Sequence, residues 1–181
     1  MARVIEAVGP CRFKPRVEGT HFGSILRAIV YQQLSGKAAA TILGRVHGLY
    51  GGREPEPHEL IATEDAALRA AGLSRQKSSY LRDLAEKAQL VLDLDAHPDE
   101  EVIARLTQIK GVGLWSAQMF LMFRLGRPDV LPAGDLGIQK AVMRAYRLRK
   151  HPSPARVLEI GKAWRPHATV ASWYLWRSLE T

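Results

Sequence analysis

The sequence predicts an all-α protein, and three observations carry that prediction. Apolar residues recur at helical spacing in one segment after another. Gly and Pro divide those segments, and no stretch keeps the strict apolar–polar alternation of a strand for long enough to build a sheet. At 181 residues the chain can bury a real core, as one domain or as two small interlocked lobes. About ten helices are expected.

The elements follow in order. HFGSILRAIVYQQL (21–34) places Phe22, Ile25, Leu26 and Ile29 on one face, and GKAAATILGRVHGLY (36–50) continues with Ile42, Leu43, Val46 and Leu49. The Gly/Pro-rich GGREPEP (51–57) is a turn. PHELIAT and EDAALRAAG read as short helices, the second ended by Gly72 as a C-cap. SRQKSSYLRDLAEKAQLVL (74–92) opens on Ser74 and is amphipathic through Leu81, Leu84, Ala88 and Leu92; Arg75 and Lys77 fall on its solvated face. HPDEEVIARLTQI (97–109) carries acids in its first turn, where the helix dipole favours them.

Composition narrows the function classes. Lys and Arg number 26 against 18 Asp and Glu, a net charge of +8, which favours a polyanionic partner, nucleic acid before membrane. The lone Cys11 excludes an internal disulfide and any four-cysteine zinc or iron–sulfur site. The N-terminal MARVIEAVGPCRFKPR lacks the apolar stretch of a signal peptide, and no run approaches a membrane span. The expected location is the cytoplasm, at the nucleoid.

Residues 110–118, KGVGLWSAQ, set two glycines between a helix ending near Ile109 and another starting near Gly113. A tight turn there exposes backbone N–H groups at the positive end of the second helix, a nest that suits a phosphate; a plain helix–helix turn that merely needs glycine reads equally well. Downstream, LGRPDVLPAGDLGIQKA (125–141) is a polar, proline-marked loop leading into a helix at about Leu136. Asp135 stands at its N-cap position. It is also the last acid before Glu159, with Lys140, Arg144, Arg147, Arg149 and Lys150 behind it. A sole carboxylate on a basic, DNA-attracting surface costs affinity and so asks for a chemical role, with which capping is compatible.

Taken together, IVYQQLSGKAAATI (29–42), LTQIKGVGLWSAQMFLMFRLGRPDVLPAGDLGI (106–138) and WRPHATVASWYLW (164–176) resemble the helix-hairpin-helix DNA glycosylase superfamily, and within it the bacterial 3-methyladenine DNA glycosylase II branch. The resemblance covers roughly residues 20–178. It implies a two-lobed helical fold with the active-site cleft between the lobes, one lobe spanning 25–130 and the other 1–24 plus 131–181. It implies that Asp135 is the catalytic aspartate and that Lys110, Gly111, Val112 and Gly113 clamp the DNA backbone. Trp115 and Trp176, with Tyr31 and Met119, match the base pocket, whereas Trp164 and Trp173 are left to the core. Leu34 is by position the side chain that fills the gap left by a flipped nucleotide, with Gln33, Ser35 and Lys37 beside it. On the residues alone, Leu34 reads equally as a buried leucine at a helix end, and Tyr31 and the tryptophans as core.

The implied chemistry is coherent. Cleaving an N-glycosidic bond makes the deoxyribose oxocarbenium-like, and a fixed carboxylate beside C1′ stabilises that charge and orients water. An alkylated base already carries positive charge, so no strong general acid is needed, and an aromatic pocket favours it. Relatives with lyase activity carry a lysine where this chain has Trp115, which implies a monofunctional enzyme that leaves an abasic site. No cofactor is expected, although a monovalent cation at the hairpin is compatible with the resemblance; the expected state is a monomer on double-stranded DNA containing damaged bases. Two other readings stay open on sequence: a glycosylase for deaminated or mismatched bases, and a non-catalytic DNA-binding hairpin. The departure His167-Ala168-Thr169, where many relatives have an aromatic followed by Arg-Ser, predicts that a polar contact near the site is lost or rebuilt.

Overall fold

The computed structural model describes residues 1–16 and 18–180. Among them are eleven α-helices and no strand: α1 (Ala2–Val8), α2 (His21–Tyr31), α3 (Gly36–Gly48), α4 (Pro57–Ala62), α5 (Asp65–Ala70), α6 (Arg75–Glu86), α7 (Asp99–Leu106), α8 (Leu114–Phe123), α9 (Leu136–Ala145), α10 (Pro154–Gly161) and α11 (Ala168–Arg177). No helix among the described residues is long and apolar enough to cross a membrane.

The chain divides into two compact units, Glu18–Ala117 and Met1–Val17 with Gln118–Thr181. The sequence expectation set the divisions at 24/25 and 130/131. By compactness they fall at 17/18 and 117/118, the second inside α8, because that helix begins in one unit and ends in the other.

In the unit 18–117, α6 packs on α2, α4 and α5, and α2 packs on α3. Leu26, Ile29, Leu60, Leu68, Leu81 and Leu84 are fully buried there, each side chain contributing on the order of 1.5–3 kcal/mol of transfer free energy. The start of α2 is fixed by Thr20, whose Oγ1 accepts from the Gly23 amide (2.8 Å) and donates to Glu54 Oε2 (3.0 Å). A Cβ on Gly23 would overlap that Glu54 carboxylate, so the glycine lets the 51–57 turn seat its acid on the helix N-terminus.

In the unit formed by 1–17 and 118–181, α9 packs on α10 and α11, and α1 on α11. Ile138, Val142, Val157 and Leu175 are fully buried at its centre, with Trp164 beside them.

Two elements differ from the sequence reading. The N-terminal residues form α1, although that helix buries no side chain of its own and gives no apolar stripe to read. The segment expected as one helix over 74–92 leaves the α-helical region at Lys87 and continues as a 3-10 turn over Ala88–Val91. Asp93, in the left-handed region at φ 51°, then turns the chain toward α7.

Candidate active site and binding loops

The hairpin assigns its two glycines different work. Gly111 has φ +80°, a left-handed conformation that costs any other L-residue about 1–2 kcal/mol, and a Cβ there would overlap the ring of Tyr80 from α6. Gly113 has no positive φ, and nothing lies within 4 Å of where its Cβ would stand. The amides of Gly113 and Leu114 have no acceptor among the described residues, since α8 makes its first bond from the Ala117 N–H to the Gly113 carbonyl. Gly111 serves the turn; at Gly113 the bare backbone faces open space.

The other two hairpin residues point elsewhere. Val112 buries its side chain and donates its amide to the Ile109 carbonyl (3.0 Å). Lys110 donates its amide to Asp83 Oδ2 (2.8 Å), and its ammonium lies 3.5 Å from Asp83 Oδ1. Lys110 and Val112 thus have their amides engaged within the protein, whereas those of Gly111 and Gly113 have no acceptor among the described residues, and the lysine is already shared with an acid. Asp83 itself is only 4% exposed. Burial pushes its carboxyl up, but the Lys110 amide and the Lys87 and Lys110 ammoniums outweigh that and hold it below the usual carboxylate range.

The loop between α2 and α3 carries the expected gap-filling residues. Gln33 adopts φ 58°, rare for a residue with a side chain, and Leu34 is 39% exposed, so it is not the buried leucine of the alternative reading. Ser35 caps α3 by accepting from the Ala38 amide (3.4 Å), and Lys37 is exposed. Lys77 departs from the sequence reading. It is half-buried, and its ammonium donates to the carbonyls of Val30 and Gln32, both at 2.6 Å, at the C-terminus of α2. Its partners lie more than 40 residues away, so helical periodicity gave no sign of them. Burial lowers its pKa. Arg75 is exposed, as expected.

Asp135 is the N-cap of α9. Its Oδ1 accepts from the Ile138 amide (2.8 Å) and from the indole Nε1–H of Trp176 on α11 (2.9 Å). Trp176 also stacks on Phe123, centroids 6.0 Å apart at 25°. Gly137 lies against both, for a Cβ there would stand 3.0 Å from Asp135 Oδ1 and 3.2 Å from Trp176 Cδ1 and press on each. The loop before Asp135 is held by Thr169, a buried residue whose hydroxyl donates to the Arg127 carbonyl (2.6 Å) and accepts from the Val130 amide (3.0 Å). Arg165 adds an ion pair to Asp129 (2.6 Å). Of the three residues His167-Ala168-Thr169, Thr169 thus supplies polar contacts to the loop before Asp135.

The aromatic candidates separate. Trp115 is 50% exposed and is not a core residue. Trp164 and Trp173 are buried. Tyr31 is half-buried, with the Arg27 guanidinium 4.1 Å over its ring, which occupies one face. Met119 is half-buried on α8. The sequence reading missed Leu136, which follows Asp135 and exposes 74% of its surface; its signal was an apolar residue at the first position of a capped helix whose buried stripe begins at Ile138. No cluster of three His, Cys, Asp or Glu able to hold a metal ion occurs among the described residues.

The profile of the HhH-GPD superfamily base excision DNA repair proteins matches residues 26–166. The chain is 36% identical to DNA-3-methyladenine glycosylase 1 of Schizosaccharomyces pombe, over 97% of this chain and 80% of that protein. It is 32% identical to the putative DNA-3-methyladenine glycosylase YfjP of Bacillus subtilis, over 88% of this chain but only 59% of that one. Among solved structures it is similar to S. pombe Mag1 in complex with abasic DNA, with TM-score 0.84 and 34% identity over 99% of this chain and 91% of that chain. The DNA-3-methyladenine glycosidase of Bacillus halodurans gives TM-score 0.88 and 39% identity over 99% of this chain and 84% of that one. With the profile covering more than three-quarters of its length, the chain belongs to the HhH-GPD superfamily of base excision DNA repair proteins.

Proposed function

We propose that the protein is a monofunctional DNA glycosylase that extrudes alkylated, 3-methyladenine-type bases from duplex DNA and hydrolyses their N-glycosidic bond, leaving an abasic site. The observation that carries the reading is the Asp135 carboxylate, anchored through Oδ1 by the Ile138 amide and the Trp176 indole. Two donors fix its orientation before substrate arrives, which is what stabilising a developing positive charge at C1′ requires. The same carboxylate orients the attacking water, and water is the only co-substrate in this reading.

The half-exposed Trp115 supplies an electron-rich face for a cationic base, worth about 1–2 kcal/mol per good contact over a neutral one. Tyr31, in the same unit as Trp115, is a further aromatic candidate for that role. Trp115 leaves no amine at the position where a lyase would form its Schiff base, so the sugar–phosphate backbone stays intact. The amides at 113 and 114 clamp a phosphate, Leu34 with Gln33 fills the space vacated by the flipped nucleotide, and Ser35 and Lys37 lie beside that strand. The partner is double-stranded DNA in the compartment that holds the chromosome, bound by a monomer.

The test is incubation with duplexes that each carry one lesion, followed by alkaline cleavage at abasic sites. Alkylated duplexes should be cut after alkali treatment and uncut without it, and Asp135→Asn should abolish the product. Cleavage confined to uracil or mismatched duplexes would replace the substrate assignment; cleavage before alkali would replace the monofunctional one.

A further inference from the structure

One face of α6 holds Lys77, Tyr80 and Asp83 at helical spacing, Lys87 follows at its C-cap, and each of the four serves a segment distant in sequence. The Lys77 ammonium closes the end of α2 through the Val30 and Gln32 carbonyls, where the helix dipole favours a cation. The Tyr80 ring lies under Gly111, and Gln76 donates to its hydroxyl (2.6 Å). Asp83 takes the Lys110 amide, and Lys87 bridges Asp83 (2.9 Å) to the Gln108 carbonyl (2.7 Å) at the end of α7. The two loops are also joined directly, because the Gln32 side chain donates to the Gly111 carbonyl (2.8 Å).

We propose that this stripe of α6 is a positioning frame, with Lys77 setting the gap-filling loop 31–35 and Asp83 with Tyr80 setting the hairpin, so that both meet DNA at one fixed spacing. The proposal rests on the reading of Leu34 as gap-filler and of the hairpin as phosphate clamp. The frame has work to do, since the loop holds Gln33 in a left-handed conformation and presents an apolar side chain to water, and a segment so disposed keeps one geometry only when its surroundings impose it. Lys77 is a positioning residue, acting through the backbone of Val30 and Gln32, and it touches no substrate atom. The two halves of the stripe have separable consequences. Disturbing Lys77 should damage recognition of an extruded nucleotide, whereas disturbing Asp83 should damage the sequence-neutral clamp.

The experiment compares Lys77→Met, Lys77→Arg, Gln32→Leu, Asp83→Asn and Leu34→Ala in the full chain. It measures affinity for an undamaged duplex, affinity for the same duplex bearing a tetrahydrofuran abasic analogue, single-turnover excision from alkylated DNA, and thermal unfolding. Lys77→Met should keep undamaged-duplex affinity within about twofold and lose about tenfold in abasic preference and excision, what one charge-assisted hydrogen bond is worth. Gln32→Leu, which leaves α6 intact, should do the same more mildly, and Lys77→Arg should recover most of the loss. Asp83→Asn should weaken both duplexes alike. Combined with Leu34→Ala, Lys77→Met should add little. The frame is overturned if Lys77→Met behaves as wild type, lowers both affinities equally in a folded protein, or adds in full to Leu34→Ala. A silent Leu34→Ala beside a defective Lys77→Met would overturn the gap-filling role and support the frame through the loop backbone.

Discussion

Placing an alanine at each hairpin glycine separates a turn requirement from a ligand requirement. At Gly111 the added methyl meets two costs. The left-handed backbone disfavours it by about 1–2 kcal/mol, and the overlap with the Tyr80 ring forces repacking at a further ~1–3 kcal/mol. A sum of about 2–5 kcal/mol should lower Tm by roughly 5–15 °C in a protein of this size. At Gly113 neither cost exists, because φ is not positive and the methyl enters open space. Gly113→Ala should therefore stay within about 0.5 kcal/mol of wild-type stability. If the 113 and 114 amides approach a phosphate, the same methyl stands in the way, and affinity for every duplex, damaged or not, should fall about tenfold, the loss of one hydrogen bond to a charged group. A backbone amide displaces no counterion by charge, so the line of log affinity against log salt should drop without changing slope. Titrations at several salt concentrations, with thermal unfolding in parallel, measure all of this. A stable Gly113→Ala protein that binds DNA as wild type does would refute the clamp and leave both glycines as features of the turn.

Other substitutions probe the carboxylate and its support. Asp135→Asn should abolish base release while DNA affinity stays equal or rises slightly; retention of activity within about tenfold, only ~1.4 kcal/mol of barrier, would mark Asp135 as a cap alone. Trp176→Phe keeps an aromatic ring beside Phe123 but removes the donor to Oδ1, so single-turnover excision should fall about ten- to hundredfold at unchanged DNA affinity. Gly137→Ala, which wedges a methyl between Asp135 and Trp176, should reproduce that loss. Asp83 makes stability pH-dependent in a defined direction. Its folded-state pKa lies below the unfolded one, so its contribution is in place above the ordinary carboxylate value and is lost as pH falls through the lower, folded value. Urea midpoints for wild type and Asp83→Asn should be furthest apart near neutral pH and converge in acid.

What the sequence makes legible is local. Ser74 before α6, Gly72 after α5 and Asp135 before α9 are read within three or four residues, because a cap accepts from an amide one turn away. The hairpin is read the same way, since a glycine pair between two apolar periodicities has few other meanings. What stays hidden depends on contacts between distant segments. Lys77 serves carbonyls 45 and 47 residues off, Asp83 an amide 27 residues on, and Trp176 a carboxylate 41 residues back. No periodicity encodes such a pairing, so Lys77 reads as solvated, and nothing local in the sequence marks Trp176 as a hydrogen-bond donor to Asp135. Gly137 is hidden for the same reason: its purpose is the space that two other side chains share.

The distribution of charge accounts for the backbone character of the proposed clamp. Residues 1–17 and 118–181 hold 15 Lys and Arg against 5 Asp and Glu, whereas residues 18–117 hold 11 against 13. The excess of +8 therefore resides wholly in the unit that carries Asp135. That unit can keep the Asp135 carboxylate at little cost to DNA affinity, because the attraction of a polyanion is set by the excess of cations in the unit. The hairpin sits in the unit without a basic excess, and its one lysine is shared with Asp83. Dipolar amides at a helix N-terminus can still hold a phosphate there, at short range and without regard to sequence. Salt should therefore act through the basic unit. Neutralising Arg147, Arg149 and Lys150 together should flatten the salt dependence by up to about 2–3 units of slope if each meets a phosphate, since none of the three is in an ion pair among the described residues. Lys110→Ala should change it by less than one unit, because Asp83 already draws on that charge. A slope that fell by a full unit with Lys110→Ala and stayed constant in the triple variant would reverse this assignment.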